Sequence, residues 1–367
     1  MQCPRCLNED PRYFYLGSRG YYCRKCVAYK RVLIDESITS VDYEISAKLL
    51  DVDYQLSFDL TEEQSVISEK LKNMIDASDV LVYAACGAGK TEIVLASIRK
   101  YLKKGLKVGF ATPRRQVVLE IGKRLEKAFS KLNVIMVCED YTNITLGDLI
   151  VCTTHQLYRY YNYFDLLILD EPDAFPYHNN EVLKGIVKTS CKGNIIYLTA
   201  TPDSDLKKLS TLSLFTRPHG KSLPVPTALT LPKIVGLITL AMWLKSNEKS
   251  LVFVPTIKTA KLLAKYFKVP AIHSQCENKD ELIEGFKNGN WSHLICTTIL
   301  ERGVTFSNIN VFVLNADHVV FNLASLIQIA GRVGRDVNFP EGKCLFISFS
   351  KTKKVSDCVK TIKMMNA

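Results

Sequence analysis

The sequence has no stretch able to cross a bilayer. Its longest apolar run, Ile234 to Leu244, is eleven residues and is flanked by Lys233 and Lys245, whereas a spanning helix needs about 20 apolar residues. The N-terminus, Met-Gln-Cys-Pro-Arg-Cys, lacks the apolar core of a secretory leader. These absences point to the cytosol, where disulfides are not expected, so the 12 cysteines should be thiols or metal ligands. Acidic residues are in deficit: 37 Asp and Glu face 48 Lys and Arg, a net charge of +11. That balance favours polyanionic partners such as nucleic acid; the plain alternative is a basic solvated surface. Histidines number only six. His273, His293 and His318 lie in or beside apolar runs and are read as structural, without a metal role.

At 367 residues and 47% hydrophobic, the chain has material for two or three domains. Its first part carries Cys3, Cys6, Cys23 and Cys26, two C-x2-C pairs separated by sixteen residues. That is the spacing of a zinc ribbon or knuckle, in which each pair gives two thiolates to a tetrahedral ion. Most other cysteines, such as Cys152, Cys296 and Cys344, sit in apolar runs as ordinary core. Between the two pairs lie Tyr13, Phe14, Tyr15, Tyr21 and Tyr22 among Arg12, Arg19, Arg24 and Lys25. These aromatics can stack on single-stranded bases, or they can be the only core a tiny metal module has. Both readings stand at this point.

From about Phe58 the pattern alternates between short apolar runs and amphipathic stretches. Val80 to Ala85, Lys107 to Ala111, Val134 to Cys138, Leu149 to Thr153, Leu166 to Leu169 and Ile195 to Leu198 read as buried strands. An amphipathic helix is expected from Thr91 to about Lys104. A proline-rich stretch with Pro218, Pro224, Pro226 and Pro232 reads as a linker. A second alternation follows, with strands at Leu251 to Val254, Ala271 to His273, His293 to Thr297, Val311 to Leu314 and Cys344 to Phe349. The two halves share a layout without evident sequence repetition. Two tandem doubly wound α/β domains with mainly parallel sheets are therefore predicted. The expected boundaries are 1–57 for the metal module and its linker, 58–216 for the first domain, 217–233 for the interdomain linker and 234–367 for the second domain.

Four motifs carry the chemistry. Ala85 to Thr91 reads Ala-Cys-Gly-Ala-Gly-Lys-Thr, after a strand and before a helix, the context that validates a phosphate loop. Gly87, Ala88 and Gly89 let backbone N–H groups converge on phosphate oxygens at a helix N-terminus. Lys90 should reach the β- and γ-phosphates, Thr91 should ligate Mg²⁺, and Glu92, which ends the motif, is counted with the nucleotide-binding residues. Ala84 stands where the strict pattern has its first glycine. Asp170-Glu171-Pro172-Asp173 follows an apolar strand; Asp170 would hold Mg²⁺, and Glu171 would orient and deprotonate the attacking water. Thr199-Ala200-Thr201-Pro202 places short hydroxyls where they can couple the metal site to an interdomain cleft. Gln328 to Arg335 reads Gln-Ile-Ala-Gly-Arg-Val-Gly-Arg. Arg332 and Arg335, three apart, would share a helix face and stabilise the transferring phosphoryl group, with Gln328 as a γ-phosphate or water contact. Because Lys90 and these arginines fall in different domains, hydrolysis is expected to require domain closure. Gln64, upstream of the phosphate loop, either reads an adenine edge or is a plain exposed helix glutamine.

In this order the motifs resemble superfamily 2 helicases and translocases, over about Phe58 to Phe349. A more specific subset resembles the ComFA family, cytosolic DNA-uptake ATPases of naturally competent Gram-positive bacteria. It comprises Asp170 to Asp173 continued by Ala174-Phe175-Pro176, Thr91-Glu92, the segment Thr297 to Phe306 (Thr-Thr-Ile-Leu-Glu-Arg-Gly-Val-Thr-Phe) and the N-terminal cysteines. Cys86 and Pro172 depart from that family, though neither supplies a catalytic group. The resemblance implies two RecA-like domains, ATP, Mg²⁺ and Zn²⁺ as cofactors, and ATP-driven movement along single-stranded DNA. It implies nucleic-acid contacts at Thr112, Pro113 and Arg114, Thr153 and Thr154, Pro255 and Thr256, and Thr297 and Thr298, largely to phosphates. Arg302 and Gly303 would link that surface to the nucleotide cleft. It further implies a phosphoribosyltransferase-like competence partner and a membrane DNA-channel complex at the inner face of the membrane, and leaves oligomerisation open. The alternatives are a replication-restart-type DNA helicase, in which the metal sites are inserted within a longer core, an RNA helicase, and an ATP-gated nucleic-acid clamp or scaffold.

Overall fold

A tight antiparallel hairpin, β1 (Phe14–Gly17) and β2 (Gly20–Cys23), stands at the head of the chain, with Tyr15 opposite Tyr22 and Leu16 opposite Tyr21. The structure is a computed structural model that describes residues 1–38, 41, 43 and 52–367. Part of the expected linker of the metal module, residues 39–40, 42 and 44–51, lies outside the described residues. The rest divides into two compact units, Met1–Ala84 with Gly89–Leu214, and Ala85–Ala88 with Phe215–Ala367.

The first unit holds a sheet of seven parallel strands: β3 (Val80–Ala84), β4 (Val108–Thr112), β5 (Val134–Val137), β6 (Leu149–Thr153), β7 (Phe164–Asp170), β8 (Cys191–Thr199) and β9 (Ser210–Leu214). Their spatial order is β5-β6-β4-β7-β8-β3-β9. Strands such as Val-Leu-Val-Tyr-Ala and Leu-Ile-Val-Cys-Thr are apolar at nearly every position because a parallel sheet is covered on both faces. The helices are α1 (Glu62–Met74), α2 (Lys90–Ile93), α3 (Leu95–Lys103), α4 (Arg115–Ala128) and α5 (Glu181–Ser190). In α4, Val117, Val118, Ile121 and Leu125 recur at helical spacing and are buried. The single helix expected from Thr91 to Lys104 is broken at Val94 into α2 and α3.

The second unit has six parallel strands: β10 (Thr227–Thr230), β11 (Ser250–Phe253), β12 (Ala271–Ile272), β13 (His293–Cys296), β14 (Asn310–Leu314) and β15 (Cys344–Ser348), in the order β10-β15-β14-β11-β13-β12. Its helices are α6 (Lys233–Trp243), α7 (Ile257–Phe267), α8 (Lys279–Lys287), α9 (Leu323–Ala330) and α10 (Lys353–Met365). The apolar run beginning at Ile234 is α6, and among the described residues no helix is long and apolar enough to cross a membrane. His293 is buried and satisfied, with Nδ1 2.8 Å from Ser250 Oγ and Nε2 2.9 Å from the Ser246 carbonyl. Burial lowers its pKa, which suits a neutral structural ring.

The segment 217–233 is not a plain linker. Thr227–Thr230 pairs with Leu345–Ser348 as an edge strand of the second sheet. Arg217 is fully buried and donates to the carbonyls of Gly331, Val333 and Gly334 at 3.0, 2.7 and 2.6 Å. Prolines and an exposed Thr-Ala-Leu-Thr edge hide this strand from any periodicity reading.

Candidate nucleotide and metal sites

β3 ends at Ala84 and the next helix begins at Lys90, so Ala85 to Gly89 form the connecting loop. Gly87 and Gly89 adopt φ of +83° and +81°. The dihedral strains any other residue at Gly89, and a Cβ there would also lie 2.4 Å from Gln64 Nε2, which would have to shift. This is the cradle a phosphate needs: backbone close to the ligand, with helix N–H groups beyond it. The exposed-glutamine reading of Gln64 fails, because the residue is fully buried. Its Oε1 accepts from Thr61 N at 2.9 Å while Thr61 Oγ1 accepts from Gln64 N at 3.2 Å, a capping box that starts α1 and sets the carboxamide against the loop. Glu92 is buried and ion-paired with Arg124 of α4.

Asp170 is the last residue of β7, and it aligns with Leu198 of β8, which in turn aligns with Val82 of β3. The phosphate loop and the acidic motif thus leave the same sheet edge two strand spacings apart, about 10 Å. Glu171 sits at φ +53°, a conformation that a non-glycine residue adopts only when its surroundings impose it. Its N–H is held by the Leu198 carbonyl at 2.9 Å. Asp173, to which the sequence pattern assigns no role, is buried and accepts from Thr199 Oγ1 at 2.5 Å and Thr201 Oγ1 at 2.8 Å. The hydroxyls of the Thr199–Pro202 motif therefore act on the acidic motif itself. The available signal is an acid beside one strand end and two hydroxyls beside its neighbour, and it is visible only once β7 and β8 are known to pair.

Gln328 is buried within α9. The expected shared helix face for Arg332 and Arg335 is not formed, because α9 ends at Ala330. Arg332 follows in a turn and Arg335 just after it; Gly334 between them adopts φ +66°, and a Cβ there would meet the Pro340 carbonyl at 2.2 Å. Arg332 is buried; its Nε donates to the Glu301 carbonyl at 3.1 Å and its Nη1 to that of Val304, spanning Arg302 and Gly303. Arg335 is less enclosed and donates from Nε to the Gly331 carbonyl at 2.9 Å.

The residues expected to meet nucleic acid fall at the carboxyl ends of neighbouring strands. Thr112 closes β4 opposite Thr153 of β6, with Pro113, Arg114 and Thr154 just beyond. Thr112 and Thr154 carry buried hydroxyls that find no hydrogen-bond partner among the described residues. In the second unit Pro255 and Thr256 follow β11, and Thr297 and Thr298 follow its neighbour β13. Thr256 Oγ1 caps α7 by accepting from Thr259 N at 3.1 Å. Thr112, Pro113, Thr153, Thr154, Pro255 and Thr297 are buried, so Arg114, Thr256 and Thr298 are the side chains with surface to offer.

Cys3, Cys6, Cys23 and Cys26 are all buried, with every pair of sulfurs within 4.8 Å. Cys3 and Cys26 Sγ are 3.7 Å apart, and Cys6 and Cys23 Sγ are 3.8 Å apart. A tetrahedral zinc with Zn–S bonds of about 2.3 Å sets sulfurs about 3.8 Å apart, so the four residues fit the ion. Hydrogen bonds with Cys3 and Cys6, then burial, hold the Cys26 thiol far above its ordinary value. Such a quartet sheds its protons when a cation takes their place. The module is docked, not tethered. Arg5 Nη1 donates to the Tyr29 carbonyl at 2.7 Å, and the Arg5 carbonyl accepts from Thr189 Oγ1 of α5 at 2.7 Å. Tyr29 stacks on His155 at 6.2 Å and meets Tyr158 at 5.7 Å.

Cys23→Ser is expected to abolish stoichiometric zinc and unfold the first ~30 residues, because in modules this small metal binding is folding free energy. The two α/β units keep their own cores, so part of the ATP hydrolysis expected of the phosphate loop and acidic motif should survive. Metal analysis and hydrolysis on one preparation check both halves; freshly purified parent protein without a bound metal would sink the assignment.

Residues 62–209 match the DEAD/DEAH box helicase family and residues 231–337 the helicase conserved C-terminal domain. The chain is 36% identical to competence protein ComFA of Streptococcus pneumoniae, over 99% of this chain and 90% of that protein. It is 33% identical to competence protein ComFA of Bacillus subtilis, over 100% of this chain and 85% of that one. The chain belongs to the ComFA family. Among solved structures, S. cerevisiae Dbp5 bound to RNA and ADP BeF3 superposes with a TM-score of 0.60 at 18% identity, covering 84% of this chain and 92% of that one. RecG bound to a three-way DNA junction gives 0.57 at 20% identity, over 84% and 45%. These likenesses establish two RecA-like domains. The ComFA-family chain is thus a competence-related, helicase-like, nucleic-acid-dependent ATPase, and its helicase domains imply ATP and Mg²⁺.

Proposed function

We propose that the protein is an ATP-driven single-stranded DNA translocase serving uptake of transforming DNA. The observation that carries the reading is the edge of the first sheet. There the Gly87/Gly89 loop, Asp170 and Glu171 emerge from strands that flank β8, and Asp173 ties the acidic motif to Thr199 and Thr201. Lys90 and the loop N–H groups hold the β- and γ-phosphates, and Gln64 fixes the loop beside the adenine side. Thr91 and Asp170 hold Mg²⁺, which when bound neutralises charge on the phosphates. Glu171, aimed by its imposed backbone, orients the attacking water and takes its proton. Glu92 and Arg124 brace the helix behind the loop. From the second unit, Arg335 and Gln328 serve the γ-phosphate. Arg332 holds the Glu301–Val304 segment, and thereby Gly303, in place. Movement of Asp173 with Thr199 and Thr201 relays hydrolysis along the sheet edge, past the buried Thr112, Pro113, Thr153 and Thr154, to Arg114, where DNA phosphates bind. Thr256 and Thr298 do the same in the second unit. Cys3, Cys6, Cys23 and Cys26 hold zinc.

Single-stranded DNA is favoured by kinship to competence proteins together with the net charge of +11. The same kinship suggests a phosphoribosyltransferase-like partner and a channel complex, with the protein peripheral at the inner membrane face. The deciding measurement is steady-state ATP hydrolysis at one fixed salt concentration with no polymer, single-stranded DNA, duplex DNA or RNA, using Lys90→Ala as blank. Stimulation by single-stranded DNA above all others is expected. Stimulation mainly by RNA, or by no polymer, overturns the reading.

A further inference from the structure

The aromatics of the zinc module are mostly not its core. That core is Cys3, Cys6, Cys23, Cys26 and Val32, with Phe14, Tyr29 and Ile34 packed against it. Tyr13, Tyr15 and Tyr21 stay outside, 38%, 52% and 38% exposed. The hairpin register puts Tyr15 and Tyr22 directly opposite each other, hence on one face, where their rings meet edge-on at 5.6 Å. Alternation along the strand brings Arg24 to that same face, with its guanidinium 5.8 Å from the Tyr15 ring centre. Arg31 lies 4.4 Å from the Tyr22 ring centre, and Lys25 lies 5.2 Å from that of Tyr13. The nearby acid Asp10 is already paired with Arg12 at 2.6 Å.

We propose that this tyrosine–arginine face of the hairpin is a second binding site for single-stranded nucleic acid, outside the motor core. Exposed rings backed by cations match a polyanion that offers free base faces; a duplex hides those faces in its stack. Charge complementarity therefore supplies the attraction to a polyanion, and stacking on free base faces selects a single strand while staying tolerant of sequence. The site is also fixed in place. Tyr29 and Arg5 anchor the module on His155 and Tyr158, within the turn Thr154–Arg159 that opens where β6 ends. The hairpin is thus held to the segment that begins with Thr153 and Thr154, and extends the proposed DNA path within the first unit. The inference rests on the translocase reading for the identity of the polymer.

The test uses the full chain loaded with zinc, with fluorescence anisotropy on two labelled probes of equal length: oligo-dT and an abasic deoxyribose-phosphate oligomer. Tyr15→Ala is expected to weaken oligo-dT binding about fivefold or more, the low end of one lost base stack. It should leave the abasic probe unchanged, and Tyr15→Phe should bind both as the parent does. Arg24→Gln should weaken both probes and reduce the slope of log affinity against log salt by about one. Zinc content and polymer-free ATPase should be unaltered in all variants. If the parent binds oligo-dT and both Tyr15→Ala and Arg24→Gln match it on both probes, the hairpin site is overturned while the translocase stands. If the parent binds neither probe, the translocase reading itself fails and the hairpin site with it.

Discussion

Glu171→Gln is expected to lower polymer-stimulated ATP hydrolysis at least ~100-fold, the smallest effect usual for loss of a general base. ATP and DNA should stay bound, and transformation in cells should be abolished. Glutamine keeps the size of the side chain and removes its negative charge and with it the capacity to accept a proton. The backbone that aims it is set by the surroundings: φ is +53° and the N–H is held by the Leu198 carbonyl at 2.9 Å. The fold should therefore be indifferent to the change, and any loss belongs to chemistry. The informative comparison is with Lys90→Ala, which should lose nucleotide affinity as well as turnover. Filter retention of labelled ATP and DNA separates the two. A Glu171→Gln protein that supported full transformation would mean that the motor reading is wrong.

Gly185→Ala is expected to release the zinc module from the first domain while leaving its metal in place. Two effects oppose each other at this position. Alanine within a helix is favoured over glycine by roughly 0.8–1.0 kcal/mol. However, a Cβ on Gly185 would lie 2.1 Å from the Cys6 carbonyl oxygen and 2.4 Å from its carbon. Those are backbone atoms in a metal knuckle and cannot swing aside like a side chain. Overpacking of this kind costs about 1–3 kcal/mol, so the collision outweighs the helix gain and separating the two surfaces is the cheapest relief. Trypsin should then cut at Lys30 or Arg31 much faster than in the parent, at unchanged zinc stoichiometry. Equal cleavage rates in the two proteins would mean that the contact yields without undocking. Because Cys23→Ser removes the metal and Gly185→Ala only the seat, the pair separates what zinc does from what docking does.

Local features are legible in the residues alone. The phosphate loop is contiguous, and buried parallel strands are apolar throughout, so both are visible in short windows. The apolar pattern places Leu149–Thr153 to the residue. Edge strands escape it: Ser210–Leu214 and Thr227–Thr230 are polar and largely exposed, so the first is not picked out at all and the second falls within the expected linker. Spacing alone gives Arg332 and Arg335 a helix, but α9 ends at Ala330 and the chain turns through Gly331, against Cys86, and Gly334, against Pro340. What else stays hidden is pairing between distant segments. Asp173 meets Thr199 and Thr201, Gln64 meets Gly89, and Cys6 meets Gly185. Each is unremarkable where it stands and acquires meaning only from what folds onto it.

The order of strands has a consequence for how the protein is made. β3 carries the phosphate loop, yet its neighbours are β8 and β9, which end at Thr199 and Leu214. A ribosome delivering about 5–20 residues per second needs roughly 6–26 s to pass from Ala84 to Leu214. Until β8 is complete at Thr199, Val80–Ala84 is an apolar strand with neither partner whole, and its second partner is not finished before Leu214. The metal module waits for the same stretch of message, since α5, its seat, spans Glu181–Ser190. The two earliest functional pieces of the chain are thus completed together by its middle, and a nascent chain stalled before Ser190 exposes both to aggregation and to holdase chaperones at once.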